Sequence, residues 1–252
     1  MRSALEALEE LLLPAECLLC RSLLTGRDES RLVCDVCRYR WRPVRAPWCA
    51  RCGQPEPLFG HCRLCADWPA ALVHARSGVW LDAGARDAVH ALKYGGLPRI
   101  AAELATAIPP PELPALAAAW LVPVPLGRKR QRQRGYNQSE RLARALGRRW
   151  SRPVADLLVR TRETATQTAL TPAARLANVA GAFQLRIGDC GLRISSEKVQ
   201  SAIRNPQSAI VLVDDVFTTG ATLAEAARAL ERAGARTVLA VTFGRALIPD
   251  FT

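Results

Sequence analysis

Two groups of residues in this 252-residue chain have types and spacings that could do chemistry. The first is the stretch VLVDDVFTTGAT at residues 211–222. A β-branched apolar run delivers two adjacent acids, Asp214 and Asp215. The turn FTTG then offers backbone N–H groups and threonine hydroxyls to a small concavity. A helix starting near Ala221 would add its unpaired N–H groups and positive dipole end, which suits a monophosphate. Adjacent buried carboxylates need hydroxyls, a cation or backbone donors. A polyol carrying a phosphate satisfies the whole arrangement. The structural alternative, that either acid caps the next helix, fits less well, because both precede the helix start by several residues.

The second group is four CxxC pairs within 49 residues: Cys17/Cys20, Cys34/Cys37, Cys49/Cys52 and Cys62/Cys65, with 13, 11 and 9 residues between pairs. Each pair can give two sulfurs to a tetrahedral zinc, and a segment this short would draw much of its folding free energy from metal. Neighbouring pairs give one site from Cys17, Cys20, Cys34 and Cys37 and another from Cys49, Cys52, Cys62 and Cys65. A cross-braced pairing fits the spacing as well. Four thiolates per ion leave no open position, so the zincs are structural. His61 is then a surplus donor and the isolated Cys190 has no assigned role. Disulfides are disfavoured in the cytoplasm, where the chain is expected to reside. Trp41, Trp48 and Trp68, with Arg38, Arg40, Arg42, Arg45 and Arg51 among them, could stack on bases and contact phosphates or build a small ribbon core.

The elements that must position these groups are legible in outline. A hydrophobic content of 49% with 23% charged residues is globular. The N-terminal MRSALEALEELLLP reads as a short amphipathic helix, and LPALAAAWLVPVPLG is too short and proline-rich to span a membrane. The formal charge is +12; two zincs on eight thiolates would bring it to about +8, still favouring anionic partners. Beyond residue 71 a helix is expected at 84–94, a second amphipathic piece at 98–108 and a connector at 109–114. A strand at 120–125, a basic loop and a helix at 139–150 follow. A strand at 210–214, a helix at 221–233 and a strand at 237–243 complete the pattern. Apolar strands alternating with helices argue for an α/β fold with a mostly parallel, Rossmann-like sheet, whose ligands collect at strand C-termini.

The motif at 211–222 resembles the phosphoribosyl pyrophosphate signature of type I phosphoribosyltransferases. With the cysteine pairs, LKYGG at 92–96, LVPVPLGRKRQRQRGYNQSERLARAL at 121–146 and TATQTALTPAARLANVAGAF at 164–183, the whole chain is similar to the ComF-like (competence protein F) family. That resemblance implies a double zinc ribbon over residues 1–70 and a type I phosphoribosyltransferase domain over 71–252. It implies phosphoribosyl pyrophosphate with Mg²⁺ as ligand, two structural zincs, and a role in DNA uptake beside a helicase-like ATPase. By position, Asp214 and Asp215 would hold the ribose hydroxyls, and Thr218, Thr219, Gly220, Ala221 and Thr222 the 5-phosphate. Pro125, Leu126, Gly127 and Arg128 would form the pyrophosphate loop. Arg160, Arg162, Thr166 and Gln167 fall in the place of the mobile loop. Lys93, Tyr94, Arg175 and Asn178 recur in the pattern without an assigned role. Residues 186–208, where QSAI occurs twice, read as a low-complexity insertion.

Two function classes follow. One is a phosphoribosyl-binding enzyme. The other is a non-catalytic accessory protein that holds single-stranded DNA on its ribbons and on the cationic run of residues 128–134, where five of seven residues are basic.

Overall fold

Strand β5 (Ile210–Phe217) is apolar on both faces up to Asp214, as expected of a central strand covered by helices on each side. It pairs in parallel with β6 (Val238–Arg245) and β2 (Trp120–Pro123); β6 also pairs in parallel with β1 (Leu72–Trp80). The sheet order is β1-β6-β5-β2. The computed structural model describes residues 15–24, 31–46, 48–55, 62–111, 117–162, 178–186 and 208–246. The expected N-terminal helix, residues 187–207 of the expected insertion, His61 and Cys190 lie outside them; the second QSAI is described from Ser208, and its Ile210 opens β5.

One face of the sheet is covered by α2 (Ala83–Tyr94), α3 (Ile100–Thr106) and α5 (Gln138–Trp150). The other is covered by α6 (Ala221–Arg232), whose alanines pack closely against Ile210, Leu212, Val238 and Ala240. A short antiparallel pair, β3 (Leu158–Arg160) with β4 (Phe183–Leu185), flanks α6. The expected α/β class with a mostly parallel sheet and an N-terminal metal-binding module is what forms, and it is consistent with a phosphoribosyltransferase-like fold.

The two cysteine-rich segments straddle the outer edge of β1. Cys17, Leu24, Val33, Cys34, Cys37 and Trp41 join the core on the α2 face. Cys52, Cys65 and Trp68 join it on the α6 face. Between them the chain runs along β1: Trp80 N donates to Arg42 O (2.8 Å), Val44 N to Gly78 O (3.0 Å) and Ala75 N to Arg51 O (2.8 Å). This covers an edge that would otherwise invite pairing with another chain.

Strands β1, β3 and β4 were not expected, and three of the expected elements take another form or extent. Residues 128–134, expected as a loop, form helix α4 (Arg128–Arg134), because arginine, lysine and glutamine are all good helix formers. Gly135 ends it in the left-handed region at φ 78°. Strand β5 continues through the acids to Phe217, because the ladder with β6 runs on to Phe217↔Arg245. The acids therefore lie within the strand. Strand β2 stops at Pro123, on the sheet edge, where a proline without N–H is tolerated.

Candidate functional site

The eight paired cysteines gather in sequence order, not as a cross-brace. The sulfurs of Cys17, Cys20, Cys34 and Cys37 lie within 4.8 Å of one another, as do those of Cys49, Cys52, Cys62 and Cys65. Zinc–sulfur bonds of about 2.3 Å in a tetrahedron require sulfurs about 3.8 Å apart. Cys20–Cys34 and Cys49–Cys65 stand at 3.7 Å and Cys52–Cys62 at 3.4 Å. Both sets fit a four-thiolate structural zinc. Cys34 also caps α1 (Asp35–Tyr39), its sulfur accepting from Cys37 N.

Around the second set the arginines act as staples. Arg51 donates to the carbonyls of Cys65, Trp68, Pro69 and Leu72 at 2.8–3.2 Å. Arg245, 1% exposed at the end of β6, donates to Cys52 O and Gln54 Oε1, both at 2.8 Å. Its guanidinium also stacks over Phe217 at 4.3 Å. Trp41 packs edge-on against Phe243, with centroids 5.0 Å apart, and Trp68 lies against Phe217. Trp41 and Trp68 are buried, and Trp48 pairs with the Arg76 guanidinium. Trp41 and Trp68 therefore follow the core reading, while Trp48 is half-buried beside Arg76 and outside the core. Arg38 and Arg42 are also engaged, with Glu103 and Asp82.

At the C-terminal ends of β2 and β5 a cavity of about 540 Å³ opens. Asp214 and Asp215 stand in its wall with different partners. Ser139 Oγ, in the first turn of α5, donates to Asp214 Oδ1 at 2.7 Å, and Asp215 N donates to the same oxygen at 2.9 Å. Lys93 Nζ meets Asp215 Oδ2 at 2.5 Å. Burial, reinforced by the neighbouring Asp215 charge, pushes the Asp214 carboxyl up to about 7. Burial pushes Asp215 upward as well, but the Lys93 ammonium outweighs it and the net direction is down. The two adjacent carboxylates are thus driven apart, Asp214 toward its neutral form and Asp215, beside Lys93, toward its ionised form.

The segment RGYNQS at 134–139 sets this geometry. Asn137 caps α5, accepting from Ser139 N at 3.1 Å, and donates to Val124 O at 3.0 Å, tying α5 to the end of β2. The Tyr136 hydroxyl donates to Leu92 O on α2. Arg134 donates to Tyr94 Oη (3.1 Å) and Gln138 Oε1 (3.0 Å). Ser139 and Lys93 are thereby held over the two acids from separate helices.

Beyond the acids, Gly220 takes φ 76° and opens α6. Thr218, Gly220, Ala221 and Thr222 line the cavity. Thr219 is buried and its hydroxyl accepts from Ala221 N at 3.4 Å.

A DNA utilization protein YhgH of Salmonella typhi is 34% identical over 242 residues, covering 90% of this chain and 96% of that protein. This chain belongs to the ComF-like family. Within it, the competence protein ComFC of Bacillus subtilis is 26% identical over 242 residues, covering 86% and 89% of the two chains. Competence protein F of Haemophilus influenzae is 35% identical over 115 residues, covering 45% and 44%. Residues 8–67 match the double zinc ribbon domain.

The ComF-like chain brings many of the expected residues to one cavity. Pro125, Leu126, Lys93, Tyr94 and Arg160 line it with the acids and the turn; Gly127 and Arg128 do not. Arg162 points instead to the carbonyls of Asn178 and Ala180, at 3.1 and 2.7 Å. Thr166, Gln167 and Arg175 lie outside the described residues. Arg130 and Arg134, from the cationic run expected to meet pyrophosphate, line it as well; Arg86, His90, Gln138 and Ser139 also do and were not expected there. Asn137 followed by an amphipathic helix is a capping signal that could have located Ser139.

Proposed function

We propose that this ComF-like protein binds 5-phosphoribosyl pyrophosphate and transfers its phosphoribosyl group to a nitrogen acceptor, in support of DNA uptake or utilization. The observation that carries this reading is one cavity lined by two acids, a glycine-opened helix N-terminus and several cations. The acids suit the ribose 2′ and 3′ hydroxyls. The N–H groups of residues 220–222 and the hydroxyls of Thr218 and Thr222 suit the 5-phosphate. Pro125, Leu126, Arg130, Arg134 and Arg160 stand where pyrophosphate charge would fall. The DNA setting rests on the names of the relatives.

Mg²⁺ fits the donor set in one way. It favours one or two carboxylates together with substrate phosphate oxygens, and Asp214 and Asp215 supply carboxylates without forming a cage of their own. Bound there, the ion would absorb leaving-group charge. The protein's own part is positioning and exclusion of water. The acceptor nitrogen bonds to C1 as the C1–oxygen bond to pyrophosphate breaks; the electron pair leaves with pyrophosphate, and the acceptor's proton passes to it.

Calorimetry of the full zinc-loaded chain with phosphoribosyl pyrophosphate and Mg²⁺ tests this. Asp214→Asn/Asp215→Asn should lose at least tenfold in affinity. Unchanged affinity in a folded double variant would overturn the reading. A second reading is favoured by α4, which buries none of its residues and carries five cations beside the cavity. Single-stranded DNA on this helix should weaken steeply with salt, and less steeply once Arg128, Lys129 and Arg132 become glutamine.

A further inference from the structure

Helix α2 does more than cover the sheet. Ala85, Ala88 and Leu92 are buried in the core. Arg86, Val89, His90, Lys93 and Tyr94, at helical spacings of three and one, line the cavity. The helix begins just past the end of β1 and reaches Asp215 through Lys93. It therefore crosses above the strand ends as a roof. From Lys93 back to Arg86 is about 10 Å along the axis, the distance a ring attached to a sugar at the acids would cover.

We infer that this face of α2 is the acceptor subsite, and that its ligand is a flat nitrogen heterocycle bearing carbonyl or carboxylate oxygens. The inference rests on the phosphoribosyl reading of the same cavity. Three observations carry it. Leu81 and Val89 give the lining an apolar part. Another part is aromatic: the His90 and Tyr94 rings lie 4.9 Å apart, and the Arg134 guanidinium sits 4.8 Å over Tyr94. This is a surface on which a flat ring stacks. Third, the charged side chains that α2 turns to the cavity, Arg86 and Lys93, are donors, and among the described residues the lining's only carboxylates are Asp214 and Asp215, each already held by Ser139 or Lys93. A ring edge made of acceptors satisfies these donors. An edge bearing an exocyclic amino group would face them unpaired, which binding sites discriminate strongly.

Product-like probes separate this inference from its premise. Ribose 5-phosphate, xanthosine 5′-monophosphate, orotidine 5′-monophosphate and adenosine 5′-monophosphate are titrated into the full zinc-loaded chain by calorimetry. The expected order puts xanthosine and orotidine monophosphates at least tenfold tighter than ribose 5-phosphate, and adenosine monophosphate below them. Arg86→Ala should erase the preference for oxo rings, and His90→Ala should weaken all three nucleotides. Both should leave ribose 5-phosphate within about twofold. If ribose 5-phosphate binds and the rings add nothing, or if both substitutions leave nucleotide affinity intact, the acceptor subsite is refuted while the phosphoribosyl reading stands. If neither ribose 5-phosphate nor phosphoribosyl pyrophosphate binds, both fall.

Discussion

The Trp68 indole of the second cysteine-rich segment lies directly against Gly220, the residue that opens α6. A β-carbon added at Gly220 would stand 2.7 Å from Cζ2 of Trp68 and 2.9 Å from Cζ of Phe217. The φ of 76° disfavours any side chain there as well. The metal module is thus in van der Waals contact with the turn assigned to the phosphate. Gly220→Ala is expected to cost about 1–2 kcal/mol in backbone strain alone. Phosphoribosyl pyrophosphate affinity should fall at least tenfold. Thermal unfolding and calorimetry on one preparation check both.

The same contact makes a prediction for Trp68→Ala. Removing the indole leaves a cavity beneath the turn at about 3–5 kcal/mol. Ligand affinity should fall even though no ligand atom is touched, while zinc content stays at two per chain. An unaltered affinity would mean that the turn holds its shape without the ribbon.

Sequential cysteine pairing has a simple readout. Wild-type protein should carry two zinc ions by elemental analysis. Changing Cys17, Cys20, Cys34 and Cys37 together to serine should leave one, and so should changing Cys49, Cys52, Cys62 and Cys65 together, each keeping the intact set. A cross-braced arrangement would lose both ions in either variant. Unfolded protein binds neither, so circular dichroism accompanies the count.

Asp214 governs a pH dependence. Its folded pKa, about 7, lies above the ordinary carboxylate value, so the folded state holds a proton that the unfolded state has lost. Its contribution to stability is therefore most favourable at low pH and declines from about pH 4 to about pH 7. Asp214→Asn keeps an oxygen for Ser139 and removes the charge. It should stabilise the chain at pH 8 by about 1–2 kcal/mol, discounted for screening, and have little effect at pH 5. Thermal unfolding at the two pH values checks it; equal effects at both would contradict the assignment.

Lys93→Met acts with the opposite sign. Asp215 is held low, so its pairing stabilises above the unfolded carboxylate range and that contribution is lost as pH falls through the lower, folded pKa. Leaving Asp215 buried without its cation should cost about 3 kcal/mol at neutral pH. The deficit should shrink as the pH falls through the carboxylate range. Denaturant titrations at pH 7 and pH 3.5 measure the difference.

What was legible in the sequence were the patterns whose physics is local. The CxxC spacings, the apolar runs of β5 and β6 and the glycine turn all announce themselves. Strand β1, LVHARSGVW, does not, because its polar residues break the alternation. Its partners are β6 on one side and the segment around Pro43 on the other, both distant in sequence. The basic run 128–134 carries both a loop's charge and a helix's propensity, and only Gly135 as a stop distinguishes them. The contacts of Ser139 with Asp214 and Lys93 with Asp215 span 75 and 122 residues, and no periodicity encodes them. The tryptophans fitted a stacking platform and a ribbon core alike, because composition does not say which way a ring faces.

Arg245 carries a practical lesson. Its guanidinium terminates the last strand of the sheet, yet its acceptors, Cys52 O and Gln54 Oε1, belong to the second ribbon. Cutting the chain near residue 70 would leave a cation stranded at the sheet end and bare the β1 edge together with the floor under Gly220. A truncated α/β fragment would then make a poor reagent for ligand screening, and its silence would say nothing about the intact protein. Binding studies should begin with the whole chain, expressed with zinc in the medium.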